Sequence, residues 1–268
     1  MNGFARLRVA TSDLRIRRRS LVVWSIAVLL VVLMVIGVYP SIHHNSSIDS
    51  IYADLSPTAQ ALLGGSNLTS PAGYLSTQLF AFFLPAIVLV FAIGRGAAAI
   101  AGEEEERTLD LLLAQPVTRT ALYLEKGLAV FAGVTLLTAA AWLPISTLHG
   151  PLGLDLPGSH LLAICVQLGL FCLALAFVAD GVAAATGRRA IGIAVSAGYT
   201  FVSYIVYGLA ATIHWLRPVR PLTLWRWYLG GDPLGSGFDG WGLVVLAVTC
   251  LVALGAGAAA FSRRDVHA

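Results

Sequence analysis

The sequence predicts an all-α membrane protein with six transmembrane helices, and three observations support this. Of the 268 residues, 57% are hydrophobic and 12% are charged, against about 45–50% and about 25% in soluble domains. Several apolar runs reach the roughly 20 residues with which a helix crosses a bilayer. Basic residues are concentrated in alternate segments between these runs. Because a backbone in lipid must satisfy its own hydrogen bonds, each run is predicted to be a helix.

The six predicted spans are separated by polar segments or by short segments rich in glycine and proline. They cover residues 20–39, 76–99, 122–148, 160–185, 190–214 and 241–261. The first apolar run, 21–38, is longer than the apolar region of a signal peptide, so we expect it to remain as a membrane anchor. Pro85 predicts a kink in the second span, because proline lacks the N–H that a helix uses for bonding.

Residues 1–19 form a basic segment ahead of the first span. Six arginines occur there, and apolar residues recur every three or four positions, at Phe4, Leu7, Ala10 and Leu14. This spacing is typical of an interfacial, or elbow, helix that lies on the membrane. A merely basic cytosolic tail would satisfy the positive-inside rule equally well. Both alternatives place the N-terminus in the cytoplasm.

The distribution of basic residues predicts the orientation of the remaining spans. Fourteen of the 17 Lys and Arg fall on the predicted inner side, including those of the tail 262–268. The other three lie in the predicted outer segment 215–240, for which the positive-inside rule alone would predict the inner side. Both termini are therefore predicted to be cytoplasmic. Four aromatic residues of the outer segment, Trp215, Trp225, Trp227 and Tyr228, suit the outer membrane interface.

An acidic stretch interrupts the apolar sequence after the second span. Four consecutive carboxylates, Glu103 to Glu106, precede leucines at helical spacing, Leu109, Leu112 and Leu113, and then Pro116. This pattern predicts a short amphipathic helix over 103–115, with acidic residues at its positive end and a proline that stops it. The alternative is an ordinary charged loop of a membrane protein.

The motifs of several enzymes are missing or out of register. The chain lacks G-x-x-x-x-G-K-[ST], the loop that cradles nucleotide phosphates. A Glu-Glu-x-x-x-Arg motif of metal-dependent intramembrane proteases would need glutamate at 102, which is glycine. A serine type is also disfavoured, because Ser203 and His214 lie eleven residues, about 16 Å, apart on one predicted helix. We therefore predict no catalytic residue and no metal site, and treat Cys165, Cys172 and Cys250 as packing residues.

Several polar residues lie inside the predicted spans. Asp180 is the one carboxylate well within a span, and it suits either a gate or relay or a structural ion pair with Arg95 or Arg188. A set of aromatic and hydroxyl residues could line a substrate path or pack helices: Phe80, Phe83, Ser196, Tyr199, Thr200, Ser203 and Tyr207. The residues alone leave both pairs of alternatives open.

Several stretches resemble the membrane subunits of ABC-2 type ABC transporters over essentially the whole chain. The strongest is 103–119 with Lys126, which is similar to that family's acidic, leucine-rich stretch ending in Pro-Val-Ser/Thr-Arg before a lysine-bearing helix. Supporting stretches are Leu62-Leu63-Gly64-Gly65, Ser70-Pro71-Ala72-Gly73-Tyr74-Leu75 and Phe261-Ser262-Arg263-Arg264-Asp265. Arg107 departs from the pattern, because many relatives have glycine before the threonine, and this leaves the turn geometry open.

The resemblance implies a permease subunit of an exporter, in which the loop after the second span forms a coupling helix that docks into a separate ATPase. It assigns this coupling to Glu103, Glu104, Glu105, Glu106, Arg107, Thr108, Leu109, Asp110, Leu112, Leu113, Pro116 and Arg119. ATP and Mg would bind the ATPase chain, and no cofactor would bind this chain. A second permease copy or a homologous permease would complete the assembly.

The expected location is the bacterial cell membrane, in contact with lipids and without nucleic acid. Two alternatives come from other classes of protein: an intramembrane hydrolase and a non-transporting membrane assembly factor. The chemical nature of the substrate is not readable from the sequence.

Overall fold

The computed structural model describes residues 18–43, 70–108, 118–210 and 213–264. These residues form helices and no strand. The prediction of an all-α fold with six transmembrane helices is confirmed. We name the long helices in chain order: α1 (Arg18–His43), α2 (71–99), α3 (Arg119–Leu148), α4 (Gly158–Thr186), α5 (Arg189–Leu209) and α6 (Gly240–Arg263).

Helix α4 occupies the centre of the bundle. In its most apolar 18-residue stretch 72% of the residues are buried, against 17% in α5 and 22% in α1 and α6. It packs against α2, α3, α5 and α6. Because each helix satisfies its own backbone bonds, the contacts between helices are made by side chains and by close backbone approach.

Glycines let two helices approach the backbone of α4 closely. A Cβ on Gly96 of α2 would lie 2.1 Å from the Ala176 carbonyl oxygen, and one on Gly192 of α5 would lie 2.4 Å from the Ala179 oxygen. Either methyl group would push its helix away. Small residues therefore determine where α2 and α5 meet α4.

Helix α2 changes its winding before Pro85. After a first turn over Pro71–Tyr74, residues Leu75–Phe83 are π-helical, and α-helix resumes over Leu84–Ala99. A π-type bond to the Phe80 carbonyl would come from residue 85, which as proline has no N–H. The Tyr228 hydroxyl donates to this carbonyl instead, at 2.9 Å. Wider π-helical turns thus lie directly upstream of Pro85, and the kink at Pro85 stays a prediction.

The segment between α5 and α6 is partly buried, whereas the sequence predicted a stretch at the outer interface. Helix α5 ends at Leu209 rather than 214, and a 3₁₀ helix follows over His214–Leu222. The next helix, Leu224–Leu229, carries Trp225 and Tyr228, and both are buried in the bundle. The interfacial prediction is wrong for these two residues because their rings pack on Phe171 of α4, at centroid distances of 4.8 and 5.0 Å.

Three predictions fall outside the described residues. They are residues 1–17 of the predicted interfacial helix 1–19, residues 109–115 of the predicted coupling helix, and the last residues of the tail, 265–268.

Candidate functional site

The acidic stretch after α2 closes in a tight helical cap. Its helix runs over Ala101–Glu105, and the N–H groups of Arg107 and Thr108 donate to the carbonyls of Glu104 and Glu103, at 3.1 and 2.9 Å. This pair of bonds is a Schellman motif. Arg107 adopts a φ of 57°, a conformation that glycine adopts without strain. The predicted helix over 103–115 is therefore interrupted at 106–108, and its part over 109–115 lies outside the described residues.

Glu103 is bonded to the start of α3. Its Oε1 lies 2.7 Å from Nζ of Lys126, the single lysine of the chain. The Thr108 hydroxyl donates to Oε2, also at 2.7 Å. Only 15% of the Glu103 side chain and 6% of the Lys126 side chain are exposed. Both carboxylate oxygens thus have partners, which is the condition for burying such a pair.

Glu104 is bonded to the end of α6. Both guanidinium NH groups of Arg264 donate to it, at 2.9 and 2.6 Å, in a two-point contact. Arg264 also donates to the Ala184 carbonyl of α4, at 3.0 Å, and its own carbonyl accepts from Arg119 of α3. The ends of α3, α4 and α6 and the acidic stretch therefore meet at one residue, Arg264.

Glu105 caps the start of α5. Its Oε1 accepts the backbone N–H of Arg189 at 3.0 Å. The residue before α5, Arg188, supplies no side-chain cap of its own. A carboxylate at this position satisfies an unpaired N–H and faces the positive end of the helix dipole.

We call this arrangement the clasp. It consists of Glu103, Glu104 and Glu105 with their partners Lys126, Arg264 and the Arg189 backbone N–H. Glu106 and Arg107, the next two residues, are exposed. Sequence reasoning found the acidic residues but not their partners, since these lie 23, 160 and 84 residues away.

Asp180 is fully buried in α4, near the same end of the bundle. The group that faces it is the Tyr123 hydroxyl of α3. Among the described residues the expected ion pair with Arg95 or Arg188 is not formed. Gly257 of α6 leaves room for the Tyr123 ring beside Asp180. A Cβ at residue 257 would lie 2.0 Å from the Tyr123 hydroxyl oxygen.

The polar residues of α5 mostly make bonds within the protein. Ser196 donates to the Leu175 carbonyl of α4 at 2.8 Å, and the Tyr199 hydroxyl donates to the Leu222 carbonyl at 2.9 Å. Thr200 and Ser203 donate to carbonyls of α5 itself. The Tyr207 ring lies 5.0 Å from the guanidinium carbon of Arg220. Ser196 and Tyr199 thus bond to other parts of the protein, while the choice between a substrate path and helix packing stays a prediction for this set.

An apolar groove of about 520 Å³ lies between α2 and α5, and we call it the α2–α5 groove. Of the substrate-path residues proposed from the sequence, Thr200 lines it, whereas Phe80 is buried in the core. Phe83 is partly exposed but does not line the groove. The groove is also lined by Arg189 and Phe201, which sequence reasoning did not assign to such a path. No sequence signal marked them, because an arginine at a helix start and a phenylalanine in a span are common.

Comparison with known proteins identifies the family. A family model described as "ABC-2 family transporter protein" matches residues 7–266, nearly the whole chain. No curated protein sequence matches the chain.

Proposed function

Because the chain belongs to the ABC-2 family of transporter proteins, we propose that it is the permease subunit of an ATP-driven exporter whose ATPase is a separate chain. Membership of this family and six apolar helices make the chain a transport permease. ATP and Mg would bind the ATPase chain. Two permease copies, or this chain and a homologous permease, would combine with two ATPase chains.

The clasp is the observation that supports coupling most directly. The loop after α2 is joined through three carboxylates to α3, α5 and α6. Charge-assisted bonds of this kind are short and directional, so a displacement of the loop is passed to three helix ends at once. A partner that presses on residues 106–117 would then tilt the helices against α4.

The clasp also changes which residues we assign to ATPase contact. Glu103, Glu104 and Glu105 already bond within the chain, so their carboxylates serve transmission better than docking. Exposed Glu106 and Arg107 are the better candidates for docking. The sequence pattern adds the leucines at 109, 112 and 113, which would fill an apolar groove of the ATPase.

We place the clasp on the cytoplasmic side of a bacterial cell membrane, with both termini on that side. The arginines in the segments 1–19, 187–189 and 262–264 support this orientation. ATP is cytoplasmic, so this orientation brings the loop to the ATPase.

Recovery of an ATPase with the detergent-extracted chain tests this function. We expect a stoichiometric ATPase with the wild type and its loss with Leu112→Asp, because a charge on the docking face leaves an unpaired ion in the contact. Ala114→Asp adds the same charge on the other face of the predicted helix and should retain the ATPase. Peptide cleavage by the chain alone, or equal ATPase recovery with both variants, would contradict the proposal.

A further inference from the structure

Another groove, of about 490 Å³, lies between α1 and α3, and we call it the α1–α3 groove. It shares no lining residue with the α2–α5 groove. Its lining side chains recur at helical spacing within 18–29 of α1 and 136–144 of α3. Three of them, Val22, Ile26 and Leu143, are about half exposed. The groove therefore opens toward the space around the helices, and a molecule dissolved in the bilayer can enter it sideways.

The α1–α3 groove is as long as the acyl layer of one membrane leaflet. Along α1 it extends from Arg18 to Leu29, about 16 Å at 1.5 Å per residue. The acyl layer of one leaflet is about 15 Å thick. At the far end of α1, Tyr39 packs on Tyr74 at the start of α2, with ring centroids 5.1 Å apart. Since the clasp lies after the other end of α2, Arg18 is at the clasp end of the groove.

Contacts between α1 and α3 give the depth of Arg18 in the bundle. A Cβ on Gly133 would lie 3.5 Å from Cδ2 of Leu21, so these two residues are at one level. Lys126 of the clasp precedes Gly133 by seven residues, about 10 Å, and Arg18 precedes Leu21 by three, about 5 Å. The clasp thus projects beyond the first turn of α1. Arg18 lies between the clasp and the apolar part of the groove, at the depth where an arginine extends its side chain toward lipid head groups.

Arg18 gives the groove one cationic end. It is the charged residue among those that line the groove, and the remainder of the lining is apolar except for Ser25. Its side chain is exposed, and its guanidinium forms no ion pair with any carboxylate in the described ranges. A guanidinium presents five donors in an arrangement that fits a phosphate group. A cation followed by an apolar channel of leaflet length matches a phospholipid with an anionic head group.

We propose that the α1–α3 groove binds an anionic phospholipid, with its phosphate on Arg18 and one acyl chain between α1 and α3. The lipid is a structural ligand and not cargo, so its binding requires neither the ATPase nor transport. It links α3 to a helix in whose most apolar stretch only 22% of the residues are buried. A second copy of the chain fits less well, because a two-fold contact through this groove would bring the two Arg18 side chains to one depth, where like charges repel.

Lipid retention by the purified full chain tests this site. The chain is exposed to equimolar phosphatidylglycerol and phosphatidylcholine in detergent, and retained lipids are counted by native mass spectrometry. The wild type should retain one phosphatidylglycerol that is absent from Ala140→Trp, a variant whose indole fills the groove. Arg18→Gln should lower the preference for phosphatidylglycerol over phosphatidylcholine about tenfold, through loss of a charge-assisted contact. Because position 18 is exposed, this variant still decides the matter if Ala140→Trp fails to fold.

Two neighbouring residues provide matched controls. Arg19→Gln removes the adjacent cation, which does not line the α1–α3 groove. Ala139→Trp adds the same indole one residue away, where it fills a different groove between α3 and α4. Both variants should retain phosphatidylglycerol like the wild type. An equal loss of preference with Arg19→Gln would assign it to general surface charge and overturn the proposal. Unchanged retention by Ala140→Trp would also overturn it, and a dimer lost in that variant would identify a second copy as the occupant.

Thermal unfolding in detergent provides a second readout. A ligand that binds only the folded chain raises its unfolding temperature by mass action, so added phosphatidylglycerol should stabilise the wild type and Ala139→Trp more than phosphatidylcholine does. The difference between the two lipids should disappear in Ala140→Trp and shrink in Arg18→Gln. An equal difference in all four proteins would show that phosphatidylglycerol acts elsewhere on the chain and would overturn the proposal.

Discussion

At one end of the bundle three carboxylates join helix ends through two ion pairs and one bond to a backbone N–H, whereas in the other half Trp225 and Tyr228 insert between helices and pack on Phe171. The aromatic rings are buried, and Tyr228 is fully so. The clasp residues are partly exposed, with 24% of the Arg264 side chain and 21% of the Glu104 side chain accessible.

This difference indicates which half is suited to move. Burial of large aromatic rings is strong and independent of salt, and it holds the helices in one packing. Partly exposed ion pairs are weaker and are screened by salt. Under the proposed function, the aromatic half serves as the fixed part and the clasp as the part on which an ATPase acts.

Removing the central ring of the aromatic half should have the largest effect. Tyr228→Ala takes away a fully buried ring and the donor to the Phe80 carbonyl, so we expect a loss of about 4 kcal/mol in the free energy of unfolding. Denaturant titration in detergent, followed by circular dichroism, measures it. Trp215→Ala is the control, because Trp215 is 74% exposed and should change stability by less than about 0.5 kcal/mol. Equal losses would show that burial does not distinguish the two aromatic residues.

Reversing a charge in the clasp should have the next largest effect. Glu104→Arg places two guanidinium groups together, and we expect a loss of about 2 kcal/mol, reduced by partial exposure. The swapped double variant Glu104→Arg with Arg264→Glu should recover at least half of it. A double variant no more stable than the single one would show that the Glu104–Arg264 bond does not join α6 to the loop.

Removing the cap of α5 should have a smaller effect. Glu105→Ala leaves the Arg189 N–H without its acceptor, and we expect a loss of about 1 kcal/mol. Glu106→Ala removes the neighbouring exposed carboxylate and should be neutral. Hydrogen exchange at the first turn of α5 distinguishes them, because only Glu105→Ala should speed exchange there. Faster exchange in both variants would point to net charge rather than to capping.

The smallest expected effect is a gain in stability. Arg107 has a positive φ, which costs about 1–2 kcal/mol for a side-chain-bearing residue. Glycine removes that cost but adds about 0.5–1 kcal/mol of unfolded-state entropy, so Arg107→Gly should stabilise by about 0.5 kcal/mol. Glu106→Gly, at a φ of −81°, should destabilise instead. A loss with Arg107→Gly would mean that the arginine side chain makes a stabilising contact.

The sequence alone determined the six helices and the place of the acidic stretch between the second and third. Both follow from local requirements. A backbone in lipid must bond within its own helix, so length and hydropathy of each run suffice. Four consecutive carboxylates cannot lie in the hydrocarbon layer, so they mark a segment between spans.

Tertiary structure alone decided what these residues contact. The clasp joins positions up to 160 residues apart, Asp180 faces Tyr123 where an arginine was expected, and Trp225 leaves the interface for the core. Each outcome depends on which helix faces meet, and small residues such as Gly96, Gly192 and Gly257 determine that meeting. The pattern within one helix holds no information about its neighbour, because lipid and protein interior are equally apolar environments for its outer faces.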